Sequence, residues 1–503
     1  MEAKIFRDTV ENAVKLCDTK TEVALETELM IPDYLPQVFK IVKCFIEPVI
    51  LQKQPSAGRL TLEGYLRCVV FYQAEQEQKL CTTEQKVPFS KTIDLPEHHA
   101  NWISVTAAGE MEYLNCRAVN QRRIDIRGAC VLSVRVFAQE DCNAVTALSD
   151  AGLEQKLETV EAMQQVAVCD KMVTAEENVK FDQPPETILQ IVGDTVIQEV
   201  KLIQGKAVIK GEIRTKILYT TTAMEIITLE KPVSFSQILD LEGVDESCQW
   251  SGWGEVTGCA LMAGNAETGE VLSATAMIHL QIFRMAQRSI VVDAFSTQYE
   301  TALEKDTFYT SQPVCKLDES IEVGCTGQLP DEGAQIISCM ATVCPPEIAP
   351  AEKGVLIRGR AVAHIICLNS LGELECYDRA CEYQIDKDWQ FAPEQMDLAA
   401  NGVLVSVEAE KDGTQANAKL TIHVSGLLSR RVPMTMLTGV ECKEPFAPDE
   451  NGVALRIYYA SAGEDVFNIA QKYHASPSAI LQAAGLEQMV LEQSARLLIP
   501  VIN

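Results

Sequence analysis

The segment Arg59–Tyr72 has the sequence RLTLEGYLRCVVFY, in which polar and apolar residues alternate up to Gly64. After this glycine a mostly apolar run continues to the closing tyrosine. Alternation with a period of two is typical of a half-buried β-strand. A glycine inside such a strand indicates a bulge or the close approach of another backbone. We therefore predict a β-strand that is tightly packed at Gly64.

Two more segments repeat this pattern, with the sequences KAVIKGEIRTKILY at Lys206–Tyr219 and GVLIRGRAVAHIIC at Gly354–Cys367. Their central glycines are Gly211 and Gly359, so the three glycines lie 147 and 148 residues apart. Each copy follows a segment with a proline near its start. The residues after this proline leave room for about two helical turns, and we predict a short helix there. Each copy also precedes a second β-rich half. These flanking segments are Ile31–Val42, Phe181–Val192 and the weaker Leu329–Ile337 upstream, and Ile124–Val136, Ala274–Phe283 and Ala418–Val424 downstream.

A repeat of this length corresponds to a domain, because the units of solenoid proteins span only about 20 to 50 residues. We predict a mainly β chain of three repeated domains, each a sandwich or barrel-like fold with short helices. A polar, helix-prone link at Asp150–Met163 leads into the second domain. The predicted boundaries are 1–145, 150–293 and 294–440 for the repeats, 441–452 for a linker and 453–503 for a small C-terminal domain.

The composition restricts the class of protein. The 503 residues carry a formal net charge of −28, which argues against general nucleic-acid binding and against attraction to an anionic membrane. We find no signal peptide and no apolar run of membrane-spanning length, so we expect a cytoplasmic protein. The 18 cysteines include no Cys-x-x-Cys pair, and we expect most of them to be buried and reduced.

The C-terminal domain has its own pattern, LRIYYASAGEDVFNIAQKYHASPSAILQAAGL at Leu455–Leu486 and RLLIP at Arg496–Pro500. A strand rich in tyrosine, a glycine turn with an acid, a helix containing Ile-Ala and a final strand ending in Ile-Pro follow one another. This order resembles the LysM module. The resemblance implies a βααβ fold that binds polymers of N-acetylglucosamine, such as peptidoglycan or chitin. The predicted core consists of Phe467, Ile469, Ile480, Leu481, Leu498 and Ile499.

The LysM resemblance also implies a ligand groove between two loops. Its predicted residues are Ala462, Gly463, Glu464, Asp465 and Val466 in the first loop, and Ala484, Gly485 and Leu486 in the second. Asp465 is also suited to cap the helix that begins at Val466. Ala484 and Ala495 stand where such modules usually carry Asn and Gln, so two amides that recognise sugars are missing. A more apolar groove favours a protein partner, although peptidoglycan stays an alternative ligand.

The repeats resemble the DUF3794 domain, also called SPOCS, in their proline-led motif, their central Val/Ile-x-Gly strand and their second β half. Several SPOCS domains followed by one LysM module resemble the clostridial spore coat morphogenetic proteins. The resemblance implies a non-enzymatic scaffold in the mother cell, at the forespore surface, that binds the ATPase of the coat's basement layer and other coat proteins. The alternative is an adaptor that binds peptidoglycan of the cortex or cell wall.

The sequence offers no pattern for catalysis. It lacks a phosphate-binding glycine loop, His-Glu-x-x-His and Gly-x-Ser-x-Gly, and its six histidines are scattered. His279, His364 and His423 lie in strand patterns, where a lone histidine is usually structural. We therefore predict no catalytic residues, no cofactor and no metal site.

Overall fold

The computed structural model describes residues 4–56, 58–75, 79–98, 100–149, 152–263, 269–446 and 455–500, apart from the side chain of Asn101. Strands dominate these residues, which contain only two α-helices and one short 3-10 helix besides. The prediction of a mainly β chain is therefore confirmed.

Residues 4–149, which we call unit 1, form two antiparallel three-stranded sheets. The long sheet has the strand order β1–β6–β5 and the short sheet has the order β2–β3–β4. Leu25 and Leu132 of the long sheet share one hydrophobic core with Leu60 and Val70 of the short sheet, so the unit is a two-layer sandwich. The strands are β1 (Lys4–Met30), β2 (Val38–Ser56), β3 (Arg59–Ala74), β4 (Leu80–Asp94), β5 (Ala100–Asn120) and β6 (Arg123–Ser149).

The same strand order recurs in residues 152–296, unit 2, whose long sheet is β7–β12–β11 and whose short sheet is β8–β9–β10. Its strands are β7 (Leu153–Val179), β8 (Pro185–Ile203), β9 (Lys206–Thr221), β10 (Ile226–Asp240), β11 (Gln249–Ala263) and β12 (Glu270–Ser296).

Residues 299–445, unit 3, have a long sheet β13–β19–β18 and a short sheet in which β14 and β15 share one edge of β16 and β17 takes the other. The strands are β13 (Tyr299–Gln328), β14 (Gln335–Val343), β15 (Glu347–Ala351), β16 (Gly354–Leu368), β17 (Leu374–Trp389), β18 (Met396–Asp412) and β19 (Gln415–Pro445), with the 3-10 helix at Pro393–Gln395.

The central glycines occupy crowded positions in the short sheets, as the sequence predicts. A Cβ on Gly64 would overlap the carbonyl oxygen of Val49, and the neighbouring strand β2 carries a bulge beside this point. A Cβ on Gly211 would lie 2.5 Å from a carbonyl oxygen of β8, and one on Gly359 would overlap the ring of Tyr383. Each glycine therefore permits an approach that any other residue would block.

The proline-led segments are not helical, so the short helices predicted there are wrong. Residues 33–35 form a turn and the chain is then extended from Val38, while in unit 2 it is extended from Pro185. The β-branched and aromatic residues that follow pair with the central strand, as Ile41 pairs with Tyr72. Pairing with that strand outweighs the helix start that the proline favours.

The helix predicted over Asp150–Met163 is also wrong. Asp150 and Ala151 lie outside the described residues, and from Leu153 onward the segment belongs to β7, which pairs with β12. Its glutamates, lysine and glutamine favour helices in isolation, but strand pairing decides the structure here. The last strand of each unit also extends a few residues past the predicted boundary.

The three units pack around a common axis. Phe71, Leu218 and Ile366 meet in one hydrophobic cluster, and each lies seven residues after its central glycine. A second cluster again combines equivalent positions, namely Val10, Val160 and Phe308 from the first strands with Ala144, Ile290 and Met436 from the last. Contacts between equivalent residues of three copies indicate pseudo-threefold symmetry within a single chain.

The described part of the C-terminal module consists of β20 (Leu455–Ala460), α1 (Val466–Tyr473), α2 (Pro477–Ala484) and β21 (Ala495–Pro500), with β20 antiparallel to β21. Of the predicted linker 441–452, the first residues belong to β19, and residues 447–452 lie outside the described part of the chain. Phe467, Ile469, Ile480 and Ile499 are buried as predicted, and Leu481 is partly buried against them.

Leu497 rather than Leu498 belongs to the core of this module. Leu497 is fully buried, whereas Leu498 is only partly buried and lies on the opposite face of β21. Because successive side chains of a strand point to opposite faces, a prediction shifted by one residue places the core side chain on the wrong face.

All 18 cysteines are free thiols, but the expectation that most are buried is wrong. Seven are buried and the other eleven are partly buried. The reason is the strand periodicity, which places many of these residues on the less covered side of a sheet. The buried set is Cys44, Cys68, Cys81, Cys130, Cys248, Cys367 and Cys381.

Candidate functional site on the C-terminal module

The first predicted groove loop is held by its own side chains. Gly463 has a φ of +87°, a conformation that glycine adopts without strain. The carboxylate of Glu464 accepts hydrogen bonds from the Tyr458 hydroxyl at 2.9 Å and from the Ser461 amide at 2.6 Å. The hydrogen bond to Glu464 raises the pKa of Tyr458. The predicted helix cap is present, because Asp465 accepts from the amide of Phe467 at 2.8 Å.

The same loop faces unit 2, a contact that the sequence did not indicate. Lys156 of β7 donates to the second carboxylate oxygen of Asp465 at 2.7 Å, and this hydrogen bond raises the pKa of Lys156. Next to this pair, the rings of Phe295 and Phe467 pack edge to face at 5.2 Å. Val466 is fully buried, which leaves Ala462 and Gly463 as the exposed part of the loop.

The second predicted loop forms the end of α2. Gly485 has a φ of +65° and caps the helix, while Ala484 and Leu486 pack against the module's core. Within the described residues, the first loop forms backbone hydrogen bonds with a segment after the second loop. The Gly463 amide donates to the carbonyl oxygen of Leu491 at 2.7 Å. The side chains of the two predicted loops are therefore engaged mainly inside the module or against unit 2.

Among the described residues of the module, the most exposed apolar surface is the outer face of β20. Leu455, Ile457 and Tyr459 are 55%, 58% and 78% exposed, and Ile457 pairs with the partly buried Leu498 of β21. The sequence does not identify this surface, since apolar residues occupy both faces of β20 and their pattern does not tell which face the helices cover. We call Leu455, Ile457 and Tyr459 the outer stripe.

Asp465 allows the cap and the ion pair to be tested separately. We expect Asp465→Ala to destabilise the start of α1 by about 1 kcal/mol, since the cap is lost. Asp465→Asn should keep the cap and lose only the partly exposed ion pair, at a cost of less than about 1 kcal/mol. Hydrogen exchange at the Phe467 amide measures both effects. Equal exchange rates in the two variants would show that the cap contributes nothing.

The strand histidines are engaged in the body of the protein. His279 lies 2.8 Å from Asp170 and His364 lies 2.8 Å from Asp378, in each case between Nδ1 and a carboxylate oxygen. His423 contacts Ser320 at 3.2 Å. Among the described residues, no group of three or more histidines, cysteines or carboxylates is arranged to hold a metal ion.

Two segments of the chain match a known family. Residues 37–119 and 184–259 match the family model described as SipL, SPOCS domain. Each matched segment begins beside a proline-led turn and contains one short sheet with its central glycine. Residues 37–119 and 184–259 are therefore SPOCS domains of the SipL family. The SPOCS domain relates this protein to the sporulation coat.

The two matches of this SPOCS protein lie in units 1 and 2. The assignment of unit 3 as a third SPOCS domain, and of the C-terminal module as LysM, stays a prediction. Among curated proteins and solved structures, none matches the chain significantly. No helix in the described ranges is both long and apolar enough to cross a membrane.

Proposed function

We propose that this SPOCS protein is a non-enzymatic scaffold of the spore coat. Three SPOCS domains form its body, and a LysM module binds the ATPase of the coat's basement layer at the forespore surface, on the mother-cell side. Other coat proteins are further partners. The outer stripe on β20 is the observation that carries this proposal.

The outer stripe suits a protein partner. It presents three large apolar side chains in a row, each more than half exposed, on a chain whose net charge is −28. Such exposed apolar surface is typical of interaction sites, and a tyrosine among aliphatic side chains is a common anchor of protein interfaces. Arg496 of β21, which pairs with Tyr459, adds positive charge beside it.

The groove loops favour a protein over a glycan. Sugar recognition requires fixed polar groups, but Asp465 is already bonded to Lys156 and to the helix. Ala484 offers no amide and its side chain packs inward. We keep peptidoglycan as the second candidate, because the exposed turn at Ala462 and Gly463 lies on the side where LysM modules bind sugars.

Capture of the coat ATPase by full-length variants tests the proposal. We expect Ile457→Glu and Tyr459→Glu to reduce the captured ATPase at least tenfold, since a charge would be buried at the interface. The matched control is Ile238→Glu, because Ile238 on β10 is 57% exposed and Ile457 is 58% exposed. Equal capture by wild type and both outer-stripe variants would remove the stripe from this role.

Sedimentation with purified peptidoglycan distinguishes the second candidate. We expect the full-length chain to remain in the supernatant. Clear co-sedimentation that Ile457→Glu leaves unchanged would favour the glycan-binding adaptor, acting through the groove loops.

A further inference from the structure

A cleft lies where units 2 and 3 meet. It is a cavity of about 450 Å³, which is within the range of small-molecule sites, and such sites occur preferentially between domains. Unit 2 provides one wall and unit 3 the other. The residues that define the cleft are Gln249, Trp250 and Phe283 of unit 2 and Pro313, Lys316 and Leu427 of unit 3.

The corresponding contacts between the other units are bridged by polar groups. The first strand of each unit has a bulge, which follows Lys15 in β1, Gln165 in β7 and Pro313 in β13. The Lys15 ammonium lies 3.8 Å from the carboxylate of Asp397 in unit 3. The backbone amide of Gln165 donates to the side-chain oxygen of Gln139 in unit 1 at 3.0 Å. Proline has neither a backbone N–H nor a polar side chain, so Pro313 forms no such bridge to unit 2, and the cleft opens at this third contact.

The cleft is apolar inside and polar at its mouth. Phe283 and Leu427, at its inner end, are only 2% and 3% exposed. Trp250 is half-buried, whereas Gln249 and Lys316 are exposed. A ligand that fits this arrangement has an apolar body for the inner end and a polar head group for the mouth.

The charge of Lys316 determines the kind of head group. Its ammonium lies 3.2 Å from the centre of the Trp250 ring, and burial lowers the pKa of Lys316 against the opposing effect of Asp318. In the part of the chain that the structure describes, Lys316 forms no ion pair, whereas Lys387 beside the cleft is paired with Glu319. A partly desolvated ammonium without a paired carboxylate gains free energy when an anion binds to it.

We propose that the cleft between units 2 and 3 binds a small aromatic carboxylate. The ring packs against Trp250, Phe283 and Leu427, and the carboxylate accepts hydrogen bonds from the Lys316 ammonium and the Gln249 amide at the mouth. Aromatic side chains on the wall favour a flat aromatic ring over an aliphatic body of the same size, because rings gain from offset-stacked and edge-to-face contacts.

Calorimetric titration of the full-length protein with 2-naphthoate tests the site. We expect saturable binding with a Kd below about 1 mM. Two matched ligands separate the contributions of charge and ring. The amide 2-naphthamide keeps the rings and lacks the charge, so it should bind about tenfold more weakly. The saturated decahydro-2-naphthoate keeps the charge and lacks the aromatic rings, so it should also bind more weakly.

Two variants locate the bound ligand. Lys316→Met removes the charge and should weaken binding of 2-naphthoate about tenfold while leaving 2-naphthamide unchanged. Pro313→Gln introduces the residue that stands at the equivalent position of unit 2, and it should weaken both ligands because the longer side chain enters the cleft. Lys201→Met, which removes an exposed lysine of β8, is the matched control and should bind like wild type.

Lys316→Met decides the outcome even where Pro313→Gln folds poorly. The proposal would be overturned by the absence of saturable binding to wild type, or by equal binding of 2-naphthoate to wild type and Lys316→Met. Binding of 2-naphthoate and its saturated form with equal affinity would overturn the aromatic class of ligand. A folded Pro313→Gln variant with unchanged affinity would place the ligand outside the cleft.

Discussion

Gly64→Ala is expected to destabilise unit 1 by about 3 kcal/mol or more in the free energy of unfolding. The added Cβ would overlap the carbonyl oxygen of Val49, which is backbone and has no rotamer to change. Relief would require β2 to move away from β3, and the two strands are paired from Val38 to Ser56. The unfolding midpoint in urea and the soluble yield measure the effect.

Two other glycines provide the comparison. Gly258 on β11 has no heavy atom within 4 Å of its added Cβ and no positive φ, so Gly258→Ala should stay within about 0.5 kcal/mol of wild type. Gly359→Ala should fall between the two, because its Cβ would meet the ring of Tyr383, a side chain. If Gly64→Ala unfolded at the same midpoint as Gly258→Ala, the close approach of β2 and β3 would be refuted.

These glycines were predictable because the signal is local. Alternation in Arg59–Tyr72 indicates a strand, and the glycine inside it indicates crowding. The same local logic predicted the helix cap, since a short carboxylate just before Val466 reaches the amide of Phe467. It failed after the prolines, where the start of a helix and the pairing of a strand compete and only the second depends on distant residues.

The contacts between units were beyond sequence analysis. In Val69–Tyr72 apolar residues occupy both faces of β3, which indicates a strand buried on two sides without identifying what covers each side. Tyr72 faces the core of unit 1, while Phe71 meets Leu218 and Ile366 of the other units. The candidate site shows the same limit, because the partner of Asp465 is Lys156, 309 residues away.

Asp194→Asn is expected to stabilise the protein at pH 8 and to leave its stability unchanged at pH 4. Burial, with the nearby Glu47, raises the pKa of Asp194 to about 7, against the opposing effects of the Leu404 amide and Lys216. The folded state therefore binds a proton that the unfolded state releases near pH 4. The stabilisation that protonated Asp194 contributes is fully present below pH 4 and is lost as the pH rises through about 7.

An asparagine resembles the protonated carboxyl and can still accept the hydrogen bond that the Leu404 amide donates at 3.3 Å. For the partly buried side chain we expect a gain of about 2 kcal/mol at pH 8, roughly half of what the full shift would give. Urea unfolding of wild type and variant from pH 4 to pH 8 measures it. A constant difference across this range would show that Asp194 does not titrate there.

Glu255→Gln should behave in the opposite way and so separates this effect from a general response to removing negative charge. Burial alone would raise the pKa of Glu255, but His279 and Lys53 hold it at about 2. The variant should lose stability at pH 7, and the loss should shrink as the pH falls through about 2. If removing a carboxylate acted only through the net charge of −28, both variants would be stabilised at pH 8. Opposite signs at pH 8 therefore attribute each effect to the local surroundings of that carboxyl.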